Sequence, residues 1–234
     1  MLTAIGLLAW AHPNLPGHLH EPVAACDDAH RVRRAGALAD DGQVAAALVE
    51  LDAVCAPDDE TVRVARARAL LMERRGAEAL AVLDGVVGPD ADVWRARAAI
   101  VEGRDDDAGR WLAGALPHLP AAPPQLYLDA AARLPPPDAS RVLTLGIERL
   151  GPVGELARAL ARAEAAAGRV DTALAWLRPD RPADRLLAGD LLLGAGRSSE
   201  ARDAWQAGLL ALPQRPSPAA AAVREALLTR LAAP

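Results

Sequence analysis

Cys26 and His30 stand four residues apart, the one nucleophile and base pair that a helix would carry on a single face. A thiol beside an imidazole can serve acyl transfer, but Cys26 has a competing partner in Cys55, the only other cysteine. If a first helical hairpin turns at Asp41 and Gly42, the two cysteines fall at similar distances on either side of the turn, and antiparallel pairing brings them together. A disulfide across that loop would consume the nucleophile and stabilise the terminal unit by roughly 3–4 kcal/mol in the chain-entropy account. Two buried thiols in a reducing compartment are the alternative.

The other candidates are histidines and carboxylates. His12, His18 and His20 lie in the segment HPNLPGHLHEP, where Pro13, Pro16 and Pro22 keep the backbone extended. His18 and His20 could share a copper or zinc ion. Cleavage after Ala11 would make His12 an N-terminus whose amine and imidazole chelate copper as a pair. No spaced carboxylate or Cys-x-x-Cys accompanies them, so solvated loop side chains are the plainer reading. Asp105, Asp106 and Asp107 form an acidic run, but they open a helix, where carboxylates suit the exposed amides. The chain has no Gly-rich phosphate loop, no His-Glu-x-x-His and no Gly-x-Ser-x-Gly, and the expected role is not enzymatic.

Composition narrows the classes further. The 234 residues are 52% hydrophobic and 24% charged, enough apolar surface for a sizeable core. Net charge is -5, every basic residue other than histidine is arginine, and no basic block occurs, so nucleic acid is not an expected partner. Residues 1–11, MLTAIGLLAWA, are apolar but too short for a membrane span, and end in the small-x-small pattern of an export signal, without a preceding basic residue. Export to the periplasm or outside the cell is one expectation; an apolar cap on a cytoplasmic protein is the other.

The elements that would position these residues are helical hairpins. The clearest runs from Pro182 to Arg215. Leu186, Leu187, Leu191, Leu192 and Leu193 mark a first helix, Gly194 to Gly196 a turn, and Ala201, Trp205, Leu209 and Leu210 a second helix that Ser198 can cap. A small residue followed four later by a large one recurs as Ala47/Leu51, Ala79/Leu83, Ala108/Leu112, Ala139/Leu143, Ala173/Leu177 and Ala201/Trp205. Successive small residues are 32, 29, 31, 34 and 28 apart. Gly42, Gly103, Gly168 and Gly196 each precede the small residue by five, whereas Gly76 precedes Ala79 by three and the fourth unit turns on Pro135, Pro136 and Pro137. Asp90 can cap the first helix of the third unit, and Pro117, Pro120, Pro123 and Pro124 mark a stiff linker.

This spacing of Gly196, Ala201, Trp205, Gly208 and Pro213 resembles the tetratricopeptide repeat (TPR), although Arg185, Ala188 and Leu192 replace the Trp, Leu and Tyr usual in its first helix. The resemblance implies an all-α, right-handed superhelical solenoid of about six antiparallel hairpins over residues 23–216, preceded by the extended segment 12–22. Residues 217–234, with Ser217 and Pro218 opening the helix, would form a C-terminal cap over the last unit.

It also implies a concave face lined by first helices, on which an extended ligand lies. Eleven residues before each small residue stand Gly36, Arg68, Arg97, Leu128, Arg162 and Asp190, with Leu71, Met72 and Arg158 beside them. Spaced guanidinium groups on an apolar floor favour an acidic or C-terminal peptide of another protein. The alternative is that they are solvated charges on helix faces of a chain whose only strong base is arginine. An exported copper- or zinc-handling protein is the second reading of function.

Overall fold

The computed structural model describes residues 27–215 and 217–232. The apolar stretch 1–11, His12, His18, His20 and Cys26 lie outside the described residues.

Within the described residues there is no strand, and six helical hairpins follow one another. They are α1 (Asp28–Asp40) with α2 (Val44–Asp52), α3 (Glu60–Met72) with α4 (Gly76–Leu83), and α5 (Pro89–Val101) with α6 (Asp105–Ala115). Then come α7 (Pro124–Ala131) with α8 (Pro136–Leu150), α9 (Gly154–Ala166) with α10 (Val170–Ala175), and α11 (Pro182–Gly194) with α12 (Ser198–Leu210). A last helix, α13 (Pro218–Ala232), packs on α11 and α12. First helices pack on first helices, α1 on α3, α3 on α5, α7 on α9 and α9 on α11, so the chain is an all-α solenoid.

The small residue at each crossing is buried. Ala47, Ala79, Ala108, Ala173 and Ala201 have no exposed surface and Ala139 has almost none, which lets the paired backbones approach. Leu51, Leu83, Leu112, Leu143 and Trp205 are buried one turn later. Leu177 departs from the pattern. It lies beyond the end of α10, which has only six residues, because Pro179 disfavours helical backbone at Arg178 and closes the segment early.

The turns follow from backbone handedness. Gly42, Gly103, Gly168 and Gly196 have φ between 71° and 81°, a region that only glycine enters without strain. In the second hairpin that position is filled not by Gly76 but by Arg74, at φ 58°. Gly76 is instead the first residue of α4, where a Cβ would lie 2.8 Å from the Ala98 carbonyl oxygen. In the fourth hairpin the turn precedes the prolines, and Pro136 and Pro137 sit in the first turn of α8.

Two expected caps are replaced. Ser198 is the first residue of α12 and makes no capping hydrogen bond, and Asp90 lies inside α5 behind Gly88 and Pro89. The residue before α4, α6 and α12 is an arginine that reaches a carboxylate three residues on. Arg75 pairs with Glu78 at 2.7 Å, Arg104 with Asp107 at 2.7 Å and Arg197 with Glu200 at 2.6 Å. These hydrogen bonds hold the Glu78 and Glu200 carboxyls below the usual carboxylate range. Ser217 does accept from the Ala220 N–H at 3.3 Å, capping α13 as expected.

Many other arginines close helix ends. Arg66 of α3 donates to the Leu51 carbonyl at 3.1 Å, and Arg95 of α5 to the Leu83 carbonyl at 2.5 Å. Arg149 of α8 donates to the carbonyls of Leu116, Pro117 and Leu119 at 2.8, 2.6 and 3.1 Å, holding the proline-rich connection to α7. The last carbonyls of a helix have no partner of their own, so a guanidinium from the next unit both satisfies them and joins the units.

Candidate functional site

The eleven-before rule places residues side by side along the first helices. The Arg68 Nη1 of α3 lies next to Gly36 of α1, 4.0 Å from where a Cβ would stand. Arg68 forms an ion pair with Asp40 at the end of α1. On α5, Trp94 stands between the two arginines of the row. The Arg97 guanidinium carbon is 4.5 Å from its ring centroid, and that of Arg68 is 6.0 Å away. At that distance the Arg97 guanidinium is in cation–π contact with the ring. Arg97 is exposed and has no carboxylate partner among the described residues.

These side chains border a cavity of about 490 Å³ with Leu71, Met72 and Val101 on its apolar side. Met72 is 53% exposed and offers apolar surface to that cavity. Trp94 and Asp40 were missed by a rule that sampled one position per unit. Trp94 is three residues before Arg97, on the same helical face, and that spacing is visible in the sequence.

The remaining positions divide into two kinds. Arg158 of α9 donates to Asp184 Oδ1 at 3.1 Å, and Asp184, with only 3% of its surface exposed, also accepts from the Arg178 N–H at 3.1 Å. That buried pair joins α9 to α11. Asp190 of α11 is held by Arg230 of α13 at 2.9 Å, so it fastens the last helix. Arg162, by contrast, is exposed and without an ion pair among the described residues, beside Leu128 in a second cavity between α7 and α9.

The acidic run behaves as a helix start. Asp107 pairs with Arg104 and Arg110, and Asp105 with Arg133 at 3.1 Å. At the N-terminal end of the solenoid, Asp28 accepts from the backbone N–H groups of Cys55 and Ala56 at 2.9 and 3.0 Å, tying the loop after α2 to the start of α1.

No protein-family model matches the sequence, and no curated protein matches it. Solved structures do share its fold. A chain of the Naa15/Naa10 structure bound to HypK-THB superposes with TM-score 0.64 at 15% identity, over 88% of this chain and 34% of that one. The chain therefore spans about a third of the length of that relative. YrrB, described as a TPR protein with an unusual peptide-binding site, superposes with TM-score 0.53 at 16% identity, over 74% of this chain and 91% of its own. At these identities the likeness is one of fold, and in fold the chain is a TPR-like helical repeat with degenerate units.

Proposed function

We propose that the chain is a non-enzymatic protein-interaction scaffold, and that the face of α1, α3 and α5 takes an acidic or C-terminal peptide. The observation that carries this reading is Arg97, in cation–π contact with Trp94 and without a carboxylate partner among the described residues. A guanidinium so placed can donate two parallel hydrogen bonds to a carboxylate, and Trp, Arg and Met are residue types enriched at protein interfaces. YrrB supplies a neighbour of the same fold that binds peptide.

Arg68 is shared with Asp40, which competes with an incoming carboxylate. Fluorescence anisotropy with a glutamate-rich peptide tests the assignment. Arg97→Glu should weaken binding at least tenfold, and Asp40→Asn should tighten it several-fold by releasing Arg68. Unchanged affinity in Arg97→Glu would remove the groove from consideration.

We also propose the Cys26–Cys55 disulfide as a staple of the first unit. Its support is Asp28, two residues after Cys26, which binds the Cys55 N–H directly. A disulfide in a chain of this kind belongs to an oxidising compartment, consistent with export. Intact mass with and without reductant under alkylation decides it: two alkylated thiols without reductant would overturn the pairing.

A further inference from the structure

The fourth hairpin departs from the others in its first helix, and a pocket lies between it and α9. Five of the six first helices have 13 residues, whereas α7 has eight. At about 1.5 Å per residue, the deficit is roughly 7.5 Å of helix. Its cause is local: Pro123 and Pro124 delay the start, and Pro135 keeps the helix from running on through Leu134. Measured from Leu128, four of the five missing residues are at the N-terminal end of α7 and one is at its C-terminal end. Beside that C-terminal end, between α7, the start of α8 and α9, lies a cavity of about 410 Å³ with the edges of Ala139 and Leu143 at its base. Leu128 and Leu134 form one wall, and Ala159, Ala163 and Ala166, on one face of α9, form the other.

We infer that this pocket is the specificity element of the groove: it takes a leucine-sized aliphatic side chain of the bound peptide, with Arg162 at its rim pairing with a carboxylate next to that side chain. The inference rests on the peptide-binding reading above. Three observations commit it to this occupant. The lining is apolar apart from Arg162, and no carboxylate contributes to it, so a charged or strongly polar side chain has no partner inside. Arg162 is exposed and has no ion pair among the described residues, so the charge at the rim is uncompensated. Small alanines along α9 leave space that an incoming branched side chain can fill. Leu128 and Arg162 at the pocket hold the same register position in their first helices as Arg68 and Arg97, the row along which the proposed extended peptide would run.

The test uses fluorescein-labelled dodecapeptides of glycine and serine bearing two adjacent glutamates, with a single Leu-Glu step scanned through the remaining positions. Matched sets carry Ala-Glu or Leu-Gln. At one spacing the Leu-Glu peptide should bind about tenfold more tightly than the Ala-Glu peptide, the gain expected for burying an aliphatic side chain. Ala163→Leu, which fills the pocket, should abolish that preference, bringing the Leu-Glu and Ala-Glu peptides to the same affinity. Ala166→Met, at an exposed lining position, serves as the second filling variant if Ala163→Leu does not fold. Arg162→Gln should remove the advantage of Leu-Glu over Leu-Gln and retain the leucine preference. Binding of the acidic peptides with no leucine preference at any spacing, or a preference that survives both filling variants, would overturn the pocket and leave the groove intact. Failure of every peptide to bind would overturn both.

Discussion

Trp205 and Gly189 illustrate how one pair of residues holds a repeat together. The indole is 3% exposed and donates to the Leu186 carbonyl at 3.3 Å, and a Cβ on Gly189 would fall 2.2 Å from its Nε1. The ring fits because the facing residue has no side chain. Trp205→Ala should cost about 3–5 kcal/mol in urea unfolding. Gly189→Ala should also destabilise the native chain, yet in the Trp205→Ala background it should be neutral or stabilise by up to about 1 kcal/mol, since alanine is the better helix former. Additive losses in the double variant would mean the two residues do not meet. Tyr127 and Gly146 repeat the device in the fourth unit, with a Gly146 Cβ placed 2.9 Å from the ring.

Glu164 provides the pH-dependent counterpart at the same scale. It is buried in α9 and held below the usual carboxylate range first by the hydrogen bonds from Arg169, which outweigh desolvation. A carboxyl with a depressed folded-state pKa contributes stability that is present above its unfolded value, about 4.3, and is lost as pH falls through the folded one. Glu164→Gln should therefore flatten the acid side of the stability profile below about pH 5 and leave its alkaline side unaltered. Thermal melts between pH 3 and pH 7 check this; parallel profiles for the two proteins would contradict it.

At the scale of the element, turns and prolines decide where helices stop. Arg74 adopts φ 58° at the position where four other hairpins carry glycine. A left-handed conformation costs an ordinary residue about 1–2 kcal/mol, so Arg74→Gly should raise stability by about 1 kcal/mol. A lower midpoint in urea would show that the Arg74 side chain contributes more than its backbone costs. The same reasoning applied to proline explains α7 and α10. Pro123 and Pro124 shorten α7 at its start, and Pro179 closes α10 early, leaving a cavity of about 550 Å³ at the truncated end of α10.

For the whole molecule, an end without a neighbour is the weak point of a stack. Here α13 takes that neighbour's place. Leu227 is fully buried, meeting α12 at Gly208, where a Cβ would lie 3.3 Å from its methyl groups, and Arg230 holds Asp190. Leu227→Ala should cost about 2–5 kcal/mol, and termination after residue 216 should lower the midpoint further and broaden the transition. An equally sharp transition in the truncated protein would mean that the sixth hairpin needs no cover.

What could be read from the amino-acid order was everything set by near neighbours along the chain. The helical period, the alanine crossings from Ala47 to Ala201 and the left-handed turns at Gly42, Gly103, Gly168 and Gly196 each depend on a few consecutive residues, and each was legible. The row Gly36, Arg68, Arg97 was also legible, because a repeat copies one register into every unit. Only the tertiary structure decided which charges remain open. Arg158 and Asp190 looked equivalent to Arg97 and Arg162, yet they pair with Asp184 and Arg230, 26 and 40 residues away in the chain. Ion pairing depends on distance in space, and a local pattern is silent about which distant helix brings the matching carboxylate or guanidinium to a given surface.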